Sequence, residues 1–442
     1  MAQTTDALYN ADSRYLQQKI VIHFAGITPV IITKDDYLIS STTLEEAHAS
    51  GSAPFGKVTS NELTIKLLNE GGIFSPSNKD SVYAGKMSRG VKIELFMRPA
   101  PDPVSYDWDP MGVYYVTKWS AQVTGLVADV TANDNLYKVF NLPSVTYPIR
   151  RDISYRNFYV DFFNRIGVTA EIDALLTNTL KYAYITQDNK AFLSELGLGS
   201  MSDCYCKHNG SIYVDYLYKK RDLRATLTDA DQIISVNATQ SIDTSYAGVS
   251  VDCNLPQESA EQSVLSIKNL QVDANKTTNT KTQLTTSPLI RVSKAATTGA
   301  PHLPVRNLVA TPNEVSFDII NTTSNPYGIN VDIYGTIIDT YKVTYKDDGD
   351  DLLNVDNKYI QTFLYASMAR DYLRKYASSQ LPTLSLKTRG NPKLELGDKI
   401  HVISARYKLD FTGVIISIKS VYSGSFSSEL VLIDSTLLEE VI

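Results

Sequence analysis

Apolar and polar residues alternate with a period of two along several stretches of the first third of the chain. Glu62-Leu63-Thr64-Ile65-Lys66-Leu67 and Val91-Lys92-Ile93-Glu94-Leu95-Phe96 do so, as a strand with one buried face requires. Lys19 to Phe24 is a short apolar run. The Pro-rich tip from Arg98 to Pro110 separates the strand ending at Phe96 from Gly112 to Val116 and Trp119 to Val127. A Pro-rich tip between two strands reads as a long hairpin loop. Together these predict an antiparallel barrel or sandwich ending near residue 145.

The pattern then changes. Ser154 is placed to cap a helix running from Asn157 to a stop at Gly167, because a Ser oxygen accepts from free backbone N–H groups of a first turn. A second helix is predicted from Asn189 to Leu196, ending at Gly197, with a strand at Lys181 to Ile185 between the two. Asn209-Gly210 lies between Cys204-Tyr205-Cys206-Lys207-His208 and Ser211 to Tyr216. Both residues accept positive φ, so the pair signals a tight hairpin. Residues 150 to 220 thus read as a small α+β module.

Strand patterns resume at Ile233 to Val236 and Val249 to Val251. Residues 256 to 305 are poor in large apolar side chains and rich in Thr, Ser, Asn and Lys, which predicts loops or an exposed insertion rather than a core. Further strands are predicted at Val315 to Ile320, Ile329 to Thr344, His401 to Ala405, Phe411 to Ser420 and Ser428 to Asp434. Tyr359 to Ala377 predicts a helix, with Ile360, Phe363, Leu364 and Met368 at helical spacing. Its last turns carry Arg370, Arg374 and Lys375, which suits the macrodipole.

Composition narrows the function classes. At 442 residues the chain is too long for one ordinary core, so two to four domains are expected. Asp and Glu outnumber Lys and Arg, 48 to 42, which argues against specific nucleic-acid binding, since phosphates need a basic face. Only short basic runs such as Lys219-Lys220-Arg221 occur. No membrane span is expected, because no run of about 18 apolar residues is present. The first residues lack the basic and apolar regions of a signal peptide. Three cysteines fit a reducing site of synthesis without a disulfide framework. The 28 tyrosines suit strands and wet interfaces.

Candidate chemistry is sparse. Cys204, Cys206 and His208 stand at i, i+2 and i+4, which on one strand places all three on one face. Thiolate and imidazole ligands suit zinc, but neighbours on a strand face are roughly 6.5 Å apart, and no fourth ligand is visible nearby. The competing reading is two small buried thiols beside a hairpin turn. Asp348, Asp350 and Asp351 in KDDGDD resemble part of a calcium loop. The twelfth position from Asp347 is Lys358, not the Glu that an EF-hand needs, so an exposed acidic turn is expected. No phosphate-binding glycine loop and no nucleophile elbow occurs, and the five histidines are scattered. No catalytic, cofactor or metal residue is therefore assigned, and no cofactor is expected.

Several stretches, in their order along the whole chain, resemble the hub proteins of bacteriophage tails and baseplates and the related hubs of contractile injection systems. Asn61 to Asn69, FSPSNKDSVYAG (Phe74 to Gly85) and Val91 to Phe96 resemble the first hub barrel. Gly112 to Phe140 resembles its closing strands and the turn that follows. The helices and hairpin of 150 to 220 resemble the small second domain. Leu227 to Cys253 resembles the approach to a second barrel, with Gly248 where relatives often have Asn. The last helix, GNPKLELGDKIHV (Gly390 to Val402) and two long strands resemble the end of the hub body. In that reading Gly390-Asn391-Pro392 turns the chain and Leu394 and Leu396 face inward. Asp398 is then a turn residue bonding local backbone N–H groups, not a catalytic acid.

The resemblance implies a β-dominated α+β fold: two antiparallel β-barrel domains, a small α+β domain between them and a C-terminal helix-plus-strand domain. The expected boundaries are 1–148, 149–222, 223–345 with a polar insertion at 256–305, and 346–442. It implies a non-enzymatic structural virion protein. A homotrimer would form a pseudo-six-fold ring between a hexameric tail tube or distal tail protein and a central spike or tail-tip protein. Baseplate wedge or other tail proteins are further expected partners. Synthesis in the host cytoplasm is expected, and with the chain ending at Ile442, no added lytic domain. The 98–110 tip and the 256–305 region are the expected partner contacts. Two rival readings remain: a virion receptor- or glycan-binding protein stacking sugars on Trp108 or Trp119, and a hydrolase with unplaced carboxylates.

Overall fold

The computed structural model describes Tyr9 and residues 15–33, 38–47, 56, 58–99, 106–121, 125–144, 147–229, 232–237, 248–299, 303–378 and 383–438. The first part carries β1 (Leu16–His23), β2 (Val30–Thr33), β3 (Leu38–Ala47), β4 (Glu62–Leu68), β5 (Lys92–Pro99), β6 (Asp109–Ala121), β7 (Val127–Asn133) and the short helix α1 (Asn135–Asn141). The small module follows with β8 (Arg150–Ser154), α2 (Tyr155–Arg165), β9 (Ala170–Ile172), β10 (Thr179–Ala183), α3 (Asn189–Ser200), β11 (Ser202–Cys206) and β12 (Ile212–Tyr216). Then come β13 (Leu223–Thr228) and β14 (Ile233–Asn237). The next eight strands are β15 (Gly248–Glu258), β16 (Gln262–Val272), β17 (Lys276–Gln283), β18 (Leu289–Thr298), β19 (Val305–Ala310), β20 (Glu314–Asn321), β21 (Tyr327–Lys346) and β22 (Leu352–Asp356). The chain closes with α4 (Phe363–Ser378), β23 (Thr383–Thr388), β24 (Lys399–Ser404), β25 (Leu409–Tyr422) and β26 (Phe426–Asp434).

Strand dominates, as the alternation predicts. In β1, β4 and β5 every second side chain is buried, so one face of each covers a core. Thirteen strands form one sheet, in the order β14-β23-β26-β25-β3-β4-β7-β6-β5-β1-β2, with β24 on β25 and β13 on β24. The sheet has two halves, each lining its own core. The first half encloses Ile20, Leu63, Ile65, Ile93 and Val130. The second encloses Leu384, Ile400, Val402, Ile415 and Leu432. The halves meet where β25 pairs antiparallel with β3, from Ser417 opposite Ala47 to Tyr422 opposite Thr42. The first half also curls on itself through side chains. Thr42 Oγ1 of β3 donates to Gln18 Oε1 of β1 at 2.8 Å, and the Tyr422 hydroxyl donates to the Leu16 carbonyl at 3.1 Å.

Pairing crosses residue 345 in both directions. β13 and β14 join β24 and β23, while β22 runs parallel to β15. A third core binds the small module to β15, β22 and α4. It is unusually rich in tyrosine, with Tyr155, Tyr159, Tyr359, Tyr365 and Tyr372 all buried. Four of these hydroxyls find partners, as buried hydroxyls generally do, among them Tyr155, which donates to the Tyr359 carbonyl at 2.5 Å, and Tyr359, which donates to the Tyr184 carbonyl at 2.9 Å. Much of the tyrosine that composition assigns to wet surfaces thus serves as amphipathic core filler.

Three expectations are corrected. Residues 256 to 305 are not loops: they carry β16, β17 and β18 and contribute Val264, Val272, Leu289 and Leu303 to a core shared with Phe317 and Val331. Thr278, Thr280 and Thr282 of β17 face inward opposite Ile319, Phe317 and Val315. Threonine has the β-branched shape of valine, which a hydrophobicity count does not register. The last helix begins at Phe363, not Tyr359. Thr362 caps it, accepting from Tyr365 N at 3.2 Å, and Tyr359 and Ile360 drop into the core beforehand. The buried stripe is Tyr365, Ala366, Ala369, Tyr372 and Leu373, while Phe363 and Leu364 are exposed. Lastly, α3 runs past Gly197 to Ser200 and stops at Met201 in the left-handed region. A Cβ on Gly197 would lie 2.9 Å from the Ser202 carbonyl and 3.3 Å from Gly56 Cα, so this glycine permits close packing rather than ending the helix.

The Gly390 turn fits its reading. Leu394 and Leu396 are buried. Gly390 has φ +77°, and an added Cβ would sit 2.7 Å from Ser428 Oγ and 2.8 Å from the Phe426 ring. Gly390→Ala is expected to cost at least about 1–2 kcal/mol from the left-handed backbone alone. The check is a lowered urea midpoint with an unchanged slope.

Candidate functional site

The β11–β12 hairpin carries the one cluster that sequence offered for metal chemistry. It forms as Asn209-Gly210 predicts, with Gly210 at φ +84° and its N–H bonded to the Lys207 carbonyl at 2.8 Å. Cys204 and Cys206 are buried in the module core. Burial, then the nearby Asp134 carboxylate, pushes both thiols well above their usual range. His208 lies past the end of β11, in the turn. Among the described residues no three His, Cys, Asp or Glu side chains are grouped to hold a metal ion.

His208 instead lies between two carboxylates brought from distant parts of the chain. Its Nε2 is 3.2 Å from Glu46 Oε2 of β3, and its Nδ1 is 3.5 Å from Glu395 Oε1 in the turn before β24. Its backbone N–H donates to the same Glu395 oxygen at 2.9 Å. His208 and Glu46 are buried, 4% and 3% exposed. Burial alone would lower the His208 pKa; the charge and hydrogen bond of Glu46, then Glu395 and Asp398, raise it to about 9.

Around this pair the polar groups are closely partnered. Asn61 Nδ2 lies 3.5 Å from Glu46 Oε1 and 3.4 Å from the Cys206 carbonyl. The Asn61 N–H donates to Asp134 Oδ2 at 2.9 Å, and Asp134 caps α1 by accepting from Leu136 N at 2.9 Å. Burial raises Asp134 to about 6 against these hydrogen bonds. Asp398 also accepts a local backbone N–H, that of Glu395, at 2.9 Å, and burial raises it to about 6. The turn role read for Asp398 is thus realised, within a larger polar cluster. Gly397 lets the turn close onto β11, for a Cβ there would lie 2.6 Å from the Tyr205 hydroxyl.

Shifted carboxylates can mark catalysis when they line a cleft. Here they fill a joint. A cavity of about 10 Å3 lies elsewhere, among Asp203, Arg221 and Tyr372, and has room for about one water. Two larger hollows, of about 440 and 470 Å3, flank Arg151 on the surface, one against Leu289 and Pro312 and the other against Val160 and Asn164. The cluster's chemistry is therefore charge pairing between segments. Sequence reading missed Glu46 and Glu395. Glu46 did leave a signal, since it shares the inward phase of β3 with Thr42 and Leu44, all buried. An acid in the inward phase of a strand requires a buried partner.

Other expected sites fall as follows. The short basic run is not a patch: Lys219 pairs with Asp173 at 2.8 Å and with Asp215, and buried Arg221 pairs with Asp215 at 2.8 Å. Trp119 donates to the Phe74 carbonyl at 2.9 Å and packs on Phe24 and Phe74, so it staples the FSPSNKDSVYAG loop. Trp108 is capped by Lys19 and Arg98. Residues 100–105 of the Pro-rich tip lie outside the described residues. Asp348, Asp350 and Asp351 form an exposed turn.

Glu46→Ala would take from the buried His208 cation the carboxylate that hydrogen-bonds its ring. It is expected to destabilise the chain by about 3–5 kcal/mol, read by urea unfolding, whereas Glu429→Ala on the exposed side of β26 should stay within about 0.5 kcal/mol.

Known proteins share this fold over nearly its whole length. The 43 kDa tail protein of prophage MuSo2 from Shewanella oneidensis superposes with a TM-score of 0.55 at 10% identity, covering 95% of this chain and 100% of the other. A tail protein from Neisseria meningitidis MC58 superposes with a TM-score of 0.51 at 8% identity, covering 95% and 98%. No protein-family profile matches the chain, and no curated protein matches it in sequence. The chain therefore has the fold of these two tail proteins.

Proposed function

We propose that this chain is a structural protein of a phage tail or baseplate. In finer terms it is a homotrimeric hub, in which two barrels per protomer make a pseudo-six-fold ring between a hexameric tube and a trimeric spike or tail tip. The first barrel lies within residues 1–148, and the second is assembled from β13, β14 and β23 to β26. The small α+β domain of 149–222 braces them. The observation that carries the reading is the likeness in fold of 95% of the chain to two tail proteins, one of them from a prophage. Location in the virion, synthesis in the host cytoplasm and a non-enzymatic role are proposed with it.

Two further features support the ring. One chain supplies two sheet halves joined edge to edge, and one chain with two related surfaces is what a match between three-fold and six-fold neighbours requires. Among the described residues β2 pairs only with β1, and β14 only with β23. Among the described residues β13 likewise pairs only with β24, so the long sheet has three terminal strands, carrying exposed Ile31, Ile234 and Leu223. A head-to-tail ring buries such edges. The proposed partners are a tube or distal tail protein on one face, a spike or tail-tip protein on the other, and wedge or other tail proteins at the rim. The exposed strands of 256–305 are proposed contacts. The glycan-binding reading is weakened because Trp119 is packed and Trp108 is covered by cations.

The test is the solution mass by light scattering, alone and with a candidate tube or spike protein. The expected result is three times the 49.0 kDa chain, in isolation or once a partner is added. A monomer that ignores both partners would remove the ring.

A further inference from the structure

We infer that the His208 imidazolium is a pH-sensitive latch: it clamps β3 of the first sheet half to the 390–398 turn of the second, and releases that grip when it loses its proton. The geometry favours the charged form. Each ring nitrogen faces a carboxylate oxygen, Glu46 at 3.2 Å and Glu395 at 3.5 Å. A neutral imidazole has one N–H and one lone pair, so one of its two contacts would set a lone pair against an anion. Only the cation satisfies both. The three residues lie on three separate segments, 162 and 187 residues apart along the chain. The clamp therefore holds parts that local structure does not.

The groups around the ring set the direction of the effect. Glu46 comes from β3, Asp134 from the cap of α1, and Glu395 and Asp398 from the turn. Cys206 of β11 and Tyr114 of β6 are buried and close to the acids. Arg224 of β13 acts on Asp398. Lys207 points away, 3.9 Å from Glu171 and over the Tyr213 ring. Removing the one proton of His208 thus leaves three acids, Glu46, Glu395 and Asp398, around a neutral ring. His208 is raised from 6.5 to about 9, so its stabilisation is complete below about 6.5 and is lost as pH rises through 9. Asp134 and Asp398, raised from 3.8 to about 6, act in the same sense at lower pH. Their stabilisation is lost as pH rises through 6. The joint is tight in mild acid and loosens in alkali.

The experiment is thermal unfolding of the full chain from pH 6.5 to 10, for the wild type, His208→Gln and Glu395→Gln. A Tm drop that runs from about pH 6.5 and levels off near pH 9 in the wild type, absent from His208→Gln and levelling off at lower pH in Glu395→Gln, is expected. NMR of 13C-labelled histidine should show one ring titrating near 9, missing from His208→Gln. Parallel Tm profiles in wild type and His208→Gln would overturn the latch. So would a ring that is already neutral at pH 7.5. Should His208→Gln not fold, Glu395→Gln decides: a Tm drop that levels off at the wild-type pH overturns the proposal.

Discussion

The structure depends on one seam, the pairing of β25 with β3. Six residues of each strand carry it, and through it two sheet halves with separate cores become one sheet. A short ladder between two halves is a hinge unless something off the ladder braces it. The brace is the cluster behind the seam, where Glu46 of β3 reaches His208 of the hairpin, and His208 reaches Glu395 of the turn. Ser417 Oγ of β25 also donates to the Glu46 carbonyl at 3.1 Å, so the residue that anchors the imidazolium is itself tied to the opposite half.

Charge is an expensive way to brace a joint. Burying a carboxylate and an imidazolium costs several kcal/mol each before their attraction offsets it. Leucine or methionine at the same positions would pack with less penalty. Apolar contacts, however, are non-directional, and a seam between two sheets can slip along a greasy surface. A ring nitrogen opposite a carboxylate oxygen has one good register. Asn61 adds to this selectivity, joining Glu46, the Cys206 carbonyl and Asp134. A hydrogen-bonded polar cluster, here with only Oδ1 of the Asn61 side chain left without a hydrogen bond, fixes geometry where an apolar one would merely hold.

Most elements were legible because their cause is local. Alternation gave β4 and β5, Ser154 gave the start of α2, and Asn209-Gly210 gave the β11–β12 hairpin. The failures share a physical reason. β17 was hidden because threonine supplies strand shape without hydrophobicity. The start of α4 was misplaced because Tyr359 and Ile360 satisfy helical spacing, yet tertiary packing draws them into the tyrosine core. The pairing of β13 and β14 with β24 and β23 sets Leu223 opposite Lys399 and Asn237 opposite Ser385. Partners so far apart along the chain are encoded by no local pattern. The His208 cluster was half visible: the histidine was noticed, but beside the wrong partners. Cysteines adjacent in sequence drew attention, whereas the groups that reach its ring come from far along the chain.

The distant origin of these groups bears on what GNPKLELGDKIHV does. Read locally, it is two turns around an alternating stretch, with Leu394 and Leu396 inward and Glu395 outward. Outward from the second core, however, is toward the hairpin. Glu395 meets the backbone and ring of His208, while Asp398 accepts from Glu395 N and holds that carboxylate's backbone in place. The stretch thus serves two cores at once, packing one with its leucines and locking onto its neighbour with its acid. Gly397 has no side chain because the Tyr205 hydroxyl occupies the place a Cβ would take. A turn built only to reverse the chain would not need so close an approach; a turn that must present Glu395 to a buried imidazole does.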